Sequence, residues 1–136
     1  MREIIEAQRR FFETGKTLDV KFRIAALKRL KQSIKAFEPR ILDALKADLG
    51  KSATEAYMTE VGMTLAELSF MLKHTKKFAR KRSVKTPLAQ FYAKTYELRV
   101  PYGVALVMSP WNYPFMLTME PLIDAIAAGN TVVVKP

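Results

Sequence analysis

Residues 100–136 read VPYGVALVMSPWNYPFMLTMEPLIDAIAAGNTVVVKP, and they predict a strand, a loop, a helix and a second strand in that order. Tyr102–Met108 is an uninterrupted apolar run, which is typical of a strand buried on both faces. Thr131–Val134 is a second, β-branched run, and we expect it to lie parallel to the first. The stretch therefore predicts a βαβ unit, the building block of an α/β fold.

The predicted loop begins at Ser109-Pro110, and Pro110 and Pro114 restrict the backbone on both sides of the three residues between them. Gly129 follows the predicted helix at the position where a C-cap belongs. We expect the apolar residues of this helix to pack against the sheet. They are Leu122, Ile123, Ile126 and Ala127.

Both strands are followed by polar side chains. In open α/β sheets, ligands bind outside the carboxyl ends of the strands. The first strand ends in Ser109-Pro110-Trp111-Asn112 and the second in Lys135, which together suggest a binding edge. The residues alone are equally compatible with a proline-rich turn, a surface lysine and an ordinary crossover helix. No G-x-G-x-x-G motif follows the first strand.

Helical periodicity dominates the residues before the sheet. Glu3–Glu13 is predicted as a helix that Gly15 ends, and Thr17 or Asp19 can cap the next helix. Glu38-Pro39 is expected to break or restart that helix before it ends at Gly50. Its basic residues are expected to face solvent; they are Lys21, Arg23, Lys28, Arg29 and Lys35.

A capping box, Ser52-Ala53-Thr54-Glu55, predicts a long helix that continues to about Arg80. The residues predicted for its buried side are Tyr57, Val61, Leu65, Leu68 and Leu72. His74 is predicted to be a surface residue, and no metal site is predicted.

Composition narrows the class of protein. The absence of cysteine excludes a disulfide framework, a thiolate metal site and a cysteine nucleophile within these residues. The first residues do not form a signal peptide, and no run is long and apolar enough to cross a bilayer, so a cytoplasmic protein is expected.

The formal net charge of +10 is unevenly distributed. Residues 1–85 hold 20 of the 23 Lys and Arg residues and 10 of the 13 Asp and Glu residues. A non-catalytic basic helical module that binds nucleic acid, an anionic membrane or an acidic protein is therefore an alternative function. A solvated charged face explains the same pattern.

Three motifs in register carry a resemblance: SPWNYPF at 109–115, AIAAGN at 125–130 and VVVKP at 132–136. With LKADLGKS at 45–52 and the run from Glu60 to Leu72, they resemble the aldehyde dehydrogenase superfamily, in particular its shorter fatty- and aromatic-aldehyde branch. The resemblance implies that residues 1–136 are the N-terminal, incomplete part of the NAD(P)-binding domain. The implied fold is a set of N-terminal helices followed by the first βαβ unit of a Rossmann-like parallel sheet.

The resemblance also implies a reaction. A cysteine thiolate adds to an aldehyde, and the oxyanion of the adduct collapses by hydride transfer to NAD or NADP. Asn112 matches the family asparagine whose amide stabilises that oxyanion, although an asparagine in a loop can also be a turn residue bonded to its own backbone. The cysteine and the general base would lie beyond Pro136, so these residues alone are expected to be inactive.

Further roles follow from the resemblance. The residues implied to bind the cofactor are Met108, Ser109, Pro110, Trp111 and Lys135. Tyr57 and Tyr113 would line the aldehyde tunnel, and residues 86–99 would form an extended arm towards an oligomerisation sheet, where the residues alone suggest a surface hairpin. The implied partners are an aldehyde and a second copy in a homodimer, with no nucleic acid and no integral membrane segment.

Overall fold

The computed structural model describes residues 2–136 as a layer of helices, a small hairpin and a βαβ unit. The helical layer contains α1 (Arg2–Glu13), a 3₁₀ turn (Lys16–Leu18), α2 (Val20–Leu49), α3 (Ala53–Ala56), a π turn (Tyr57–Val61) and α4 (Gly62–Phe78). The hairpin contains β1 (Arg82–Val84), a 3₁₀ turn (Leu88–Gln90) and β2 (Thr95–Glu97). The βαβ unit contains β3 (Val104–Met108), α5 (Met116–Ala128) and β4 (Thr131–Lys135).

The ends of α2 follow the predicted signals. Asp19 caps its start, where the carboxylate accepts from the Lys21 amide at 2.9 Å. Gly50 ends it in the left-handed conformation, with φ of +67°. The expected break at Glu38-Pro39 is wrong, since α2 continues through Pro39 to Leu49. Proline removes one intrahelical donor, but Pro39 is exposed, and Ile34 and Leu45 on either side of it are buried and keep the helix docked.

Arg23 is buried and does not face solvent as the sequence suggested. Its guanidinium donates to the carbonyls of Thr17 at 2.6 Å, Leu18 at 3.2 Å and Ala127 at 3.3 Å. These carbonyls end the 3₁₀ turn and α5, so no helical partner satisfies them. Arg23 therefore joins the beginning of α2 to the end of α5.

The predicted long helix forms, with one π turn inside it. The hydroxyl of Ser52 accepts from the Glu55 amide at 3.2 Å, which confirms the start of the helix. In the π turn, the amide of Gly62 donates to the carbonyl of Tyr57, five residues earlier. Ala56 and Val61, which are five residues apart, are both fully buried. Tyr57, four residues before Val61, is 42% exposed, so its predicted burial is wrong.

The two strands of the βαβ unit are parallel, as predicted, with Val104 opposite Thr131 and Met108 opposite Lys135. The first strand begins at Val104, two residues later than the apolar run. The expectation that both its faces are buried is wrong for residues 2–136. Val107 is buried, whereas Leu106 is 63% and Met108 65% exposed, because no described element covers that face.

Helix α5 lies between the sheet and the helical layer. Ile123 and Ala127 were expected to pack on the sheet, but they join the main core with residues of the helical layer. The buried members of this core are Leu27, Ile34, Val61, Leu68, Ile123 and Ala127. The βαβ unit is therefore fixed against α2 and α4 through one face of α5.

The hairpin contains little regular structure. Strands β1 and β2 pair antiparallel, with Arg82 opposite Glu97. Strand β2 is three residues long, and a 3₁₀ turn precedes it. Large apolar side chains of the connecting segment are exposed: Leu88, Phe91 and Tyr92. Within residues 2–136, no helix is long and apolar enough to cross a membrane.

Candidate functional site

The carboxyl ends of β3 and β4 bring three of the predicted cofactor residues together. Met108 lies opposite Lys135 in the ladder, and the Ser109 amide donates to the Lys135 carbonyl at 3.1 Å. The side chains of Met108 and Lys135 are exposed at this edge. An apolar surface beside a flexible cationic donor can accept a ligand that has both apolar and anionic parts.

The loop that follows β3, residues 109–115, presents two further predicted residues to solvent. Trp111 is 91% exposed, and Pro110, which directly precedes it in the chain, is half-buried. The side-chain amide of Asn112 is also exposed and has no hydrogen-bond partner among residues 2–136. The alternative role of Asn112, a turn residue bonded to its own backbone, therefore has no supporting contact in this part of the chain.

Hydroxyl groups tie the loop to the first turn of α5. The Ser109 hydroxyl is hydrogen-bonded to the Thr118 hydroxyl, which in turn bonds the carbonyl of Pro114. These contacts link the start of the loop, its end and the helix that follows. The side chain of Ser109 thus contacts α5, and Trp111 and Asn112 are the loop side chains that lie free.

A buried ion pair lies behind the loop. Lys51 precedes α3, and Glu60 lies in the π turn, where it has no exposed surface. The Lys51 ammonium is in direct contact with Glu60 Oε1 and also donates to the Asn112 carbonyl at 3.2 Å. It lies 4.1 Å from the centre of the Tyr113 ring, within the range of a cation–π contact.

The second oxygen of Glu60 caps α5. Glu60 Oε2 accepts from the amides of Phe115 at 2.8 Å and Met116 at 3.3 Å. The residue at the N-cap position, Phe115, has no side chain that can accept these amides. A carboxylate at this end also interacts favourably with the helix dipole. Lys51 therefore holds residues 112–116 at Asn112, and Glu60 holds them at Phe115 and Met116.

The two tyrosines predicted to line the aldehyde tunnel lie on two different elements. Tyr113 is in the loop, with its ring against the Lys51 ammonium. Tyr57 begins the π turn that contains Glu60, and its side chain is partly exposed. The structure provides no direct contact between these two residues.

A separate group of carboxylates lies where α4 meets α5. Burial raises the pKa of Glu67, and the neighbouring charges of Asp124 and Glu120 raise it further. Burial also raises the pKa of Glu120 and of Asp124, and for Asp124 the hydrogen bond with Glu67 opposes that effect. The residues that the structure describes contain no cluster of side chains suited to a metal ion.

Sequence reasoning assigned no role to Lys51 or Glu60. A signal was present for Glu60, since it lies four residues before Thr64 and eight before Leu68, both buried on the same helix. A charged residue on an apolar stripe is uncommon and usually has a buried partner. Nothing in the sequence identifies Lys51 as that partner, because the pairing depends on the π turn.

Comparison with protein families gives a match over the whole chain. The matching model is described as the aldehyde dehydrogenase family, and it covers residues 1–136.

Curated relatives agree with that match. 4,4'-diaponeurosporen-aldehyde dehydrogenase of Staphylococcus aureus is 48% identical over 126 residues, which are 93% of this chain and 28% of that protein. Aldehyde dehydrogenase family 3 member A2 of Mus musculus is 41% identical, over 94% of this chain and 26% of that protein. Aldehyde dehydrogenase, dimeric NADP-preferring, of Canis lupus familiaris is 42% identical, over 98% and 30%. The chain thus spans 26% to 30% of the length of these relatives.

Solved structures share the fold. The substrate-bound state of Staphylococcus aureus AldH aligns with a TM-score of 0.95 and 45% identity, over all of this chain and 30% of that one. Succinic semialdehyde dehydrogenase from Streptococcus pyogenes, solved with NADP+, aligns with a TM-score of 0.84 over 98% of this chain and 28% of that one. It is 20% identical and shows the fold alone. The predicted helices followed by an incomplete α/β unit are confirmed.

Proposed function

Because the chain belongs to the aldehyde dehydrogenase family, we propose that the protein containing it oxidises an aldehyde to a carboxylic acid with NAD or NADP as the hydride acceptor. Residues 1–136 are then the N-terminal part of the NAD(P)-binding domain, in a cytoplasmic enzyme. The observation that carries the proposal is the free side-chain amide of Asn112, on a loop held from both ends at the carboxyl edge of a parallel sheet. The motif that contains it, SPWNYPF, is one of the three motifs in register that carry the resemblance to the family.

Asn112 is proposed to bind the oxyanion that forms when a cysteine thiolate adds to the aldehyde. An amide N–H can donate to this oxygen without adding a titratable charge to the site. Its rigid main chain favours the role, since a donor that is already in place stabilises developing charge without reorganising. Residues 1–136 contain no cysteine, so the nucleophile comes from another part of the protein.

The carboxyl edge fits a dinucleotide. Such a ligand needs apolar surface for its rings and donors for its ribose and phosphate oxygens. Met108 and Trp111 supply exposed apolar surface, and Lys135 supplies an exposed donor at the end of β4. We propose that these residues, with Ser109 and Pro110, line the cofactor cleft and that Lys135 bonds the adenosine ribose. When bound, NAD or NADP accepts a hydride.

Tyr57 and Tyr113 are proposed to line the path of the aldehyde. Tyr113 lies in the Asn112 loop with its ring against the Lys51 ammonium, and Tyr57 begins the π turn that contains Glu60, which favours this role. The exposed hairpin segment favours a role in association, and we propose that residues 86–99 extend to the sheet of a second copy in a homodimer.

The alternative function is a non-catalytic basic helical module that binds nucleic acid, an anionic membrane or an acidic protein. Only the uneven charge distribution supports it, and it does not account for the SPWNYPF motif.

The test is turnover of the full-length protein with Asn112→Ala and Asn112→Asp. Removing one oxyanion donor typically costs about 10²–10³ in rate, so the alanine variant should lose that much while cofactor affinity is retained. The aspartate variant should be at least as slow, because a carboxylate repels the oxyanion. A matched control is Asn130→Ala. The side-chain oxygen of Asn130 accepts from the Gly103 amide, and its side-chain nitrogen donates to the Ala125 carbonyl, both away from the loop.

The pre-steady-state burst of NAD(P)H locates the defect, because the oxyanion forms before hydride transfer. The burst should slow with both Asn112 variants and remain normal with Asn130→Ala. A normal burst and normal turnover with Asn112→Ala would overturn the proposed role of this residue.

A further inference from the structure

Lys51 and Glu60 form a buried ion pair whose remaining contacts are all directed at residues 112–116. We propose that the two are positioning residues that fix the main chain of Asn112, and through it the oxyanion donor. This inference rests on the proposed function. Neither residue needs to touch the aldehyde or the cofactor.

Glu60 fixes the end of the loop. Its carboxylate uses one oxygen for Lys51 and the other for the amides of Phe115 and Met116. These amides are the first donors of α5, and a charged acceptor makes stronger hydrogen bonds with them than a neutral one. The start of α5 is therefore held to the π turn of the helical layer.

Lys51 fixes the middle of the loop. Its ammonium donates to the carbonyl of Asn112 itself, and its charge lies over the ring of the next residue, Tyr113. The side-chain amide of Asn112 has no partner among residues 2–136, so its direction depends on the main chain that Lys51 holds. The contact of Lys51 with the Asn112 carbonyl is thus made within the same residue as the side-chain amide that it positions.

The energetics of burial favour a geometric role over a stabilising one. Removing two charges from water costs free energy that their attraction often fails to recover, and an apolar pair of similar size would frequently be more stable. An apolar pair, however, could neither donate to the Asn112 carbonyl nor accept from the two amides. A misplacement of about 1 Å can cost about 10²-fold in rate, which gives such positioning a large effect.

The experiment compares variants of the full-length enzyme. Lys51→Met and Glu60→Gln should each lower kcat by about 10- to 100-fold, with cofactor affinity unchanged and the burst slowed. The double variant Lys51→Met/Glu60→Gln removes both charges, so it leaves no unpaired charge in the interior. In an Asn112→Ala background the same changes should have almost no further effect on kcat, because the donor they position is absent.

Arg23→Met is the matched control. Arg23 is also a buried cation of the helical layer that donates to backbone carbonyls, but it contacts neither the loop nor the ion pair. It should lower the melting temperature and leave kcat at 25 °C unchanged. Hydrogen exchange of the Phe115 and Met116 amides should accelerate in Glu60→Gln and remain slow in Arg23→Met.

The outcomes separate the two proposals. Slow turnover in Asn112→Ala with normal turnover in folded Lys51→Met and in the double variant would overturn the positioning role and leave the proposed function intact. Unchanged exchange at the two amides in Glu60→Gln would also overturn the positioning role. If both Lys51→Met and the double variant fail to fold while Arg23→Met folds, the pair is a folding determinant and the inference is wrong. Absence of NAD(P)-dependent aldehyde oxidation in the unaltered protein would overturn the proposed function, and exchange alone would then decide whether the pair holds the loop.

Discussion

At the scale of single residues, Asn112 and Lys135 show how the main chain leaves a side chain available. The carbonyl of Asn112 is bound by Lys51, and the carbonyl of Lys135 is bound by the Ser109 amide. Both side chains remain exposed. The backbone of each residue is thus fixed by the fold, and its functional group is free to meet a ligand.

Lys135→Ala in the full-length enzyme should weaken cofactor binding more than it slows the chemistry. The lysine lies at the end of β4, where the proposed contact is with the adenosine half of the cofactor, away from the hydride. A lost charged hydrogen bond costs about 1.5–3 kcal/mol, or roughly 10- to 150-fold in Kd. Titration of NAD and NADP by fluorescence measures the effect, with the exposed Lys28→Ala as control. Unchanged cofactor affinity would remove Lys135 from the site.

Gly129 is required for two reasons, and substitution can separate them. Its φ of +96° strains any other residue, and a Cβ there would lie 2.6 Å from the guanidinium carbon of Arg23. Gly129→Ala should destabilise the protein by about 2 kcal/mol or more, since strain and displacement of Arg23 add together. Gly50→Ala is the control, because Gly50 has a φ of +67° but no atom within 4 Å of the added Cβ.

Chemical unfolding of the two variants measures the difference. Gly50→Ala should show strain alone, about 1–2 kcal/mol. Equal losses at the two positions would mean that Arg23 moves aside without cost and that its contacts do not stabilise the end of α5.

At the scale of secondary-structure elements, the π turn decides what the long helix presents. It adds one residue to the turn between Ala56 and Val61, so that these two residues are buried together and Tyr57 is turned outwards. The same turn directs Glu60 towards Lys51 and the first amides of α5. In an uninterrupted α-helix with the same sequence, the side chains of Ala56 and Val61 would point in different directions around the helix axis.

The interface of α4 with α5 predicts a dependence of stability on pH. The folded-state pKa of Glu67 is raised by burial and by Asp124, so the folded protein holds the Glu67 proton to a higher pH than the unfolded chain does. Stability from this group is present below its unfolded pKa of about 4.3 and is lost as pH rises through the folded value. Glu67→Gln should therefore raise the melting temperature slightly at pH 7.

Melting temperatures between pH 4 and pH 8 measure this effect. The advantage of Glu67→Gln over the unaltered protein should shrink as pH falls towards 4, because the unfolded chain then also takes up the Glu67 proton. Glu3→Gln, in an exposed position of α1, should show no comparable trend. A destabilised Glu67→Gln variant at pH 7 would mean that its carboxylate is stabilising in the folded state.

At the scale of the whole molecule, residues 2–136 leave one face of their parallel sheet without cover. Leu106 and Met108 are exposed on that face. The sheet has only two strands, so the outer edge of each strand has no neighbouring strand to bond its backbone groups. The helical layer and α5 share a common core on the other side. One face of the sheet is therefore packed against helices, and the other face is uncovered.

A polypeptide of residues 1–136 should consequently self-associate or fold poorly, and it should not oxidise aldehydes. Exposed apolar strand edges promote association, and the absence of cysteine removes the thiolate nucleophile. Light scattering and thermal melting test the first part, and NAD(P)H formation with an aldehyde tests the second. A monodisperse monomer with a cooperative melt would contradict the first expectation. NAD(P)H formation by the pure polypeptide would contradict the second.

The sequence by itself determined the parallel βαβ unit, the cap at Gly129 and the loop that contains Asn112, because these depend on local apolar runs, prolines and glycines. It narrowed the cap of α2 to Thr17 or Asp19, and the structure selects Asp19. It predicted a break at Pro39 and solvent exposure for Arg23, and both were wrong. Packing between distant elements overrides local preference at these two positions: buried contacts on both sides hold α2 together, and carbonyls from two other elements surround Arg23. Only the tertiary structure paired Lys51 with Glu60 and placed both behind the loop. That pairing requires the π turn to bring residues 51, 60 and 112–116 together, and no local pattern encodes a distance between segments so far apart in the chain.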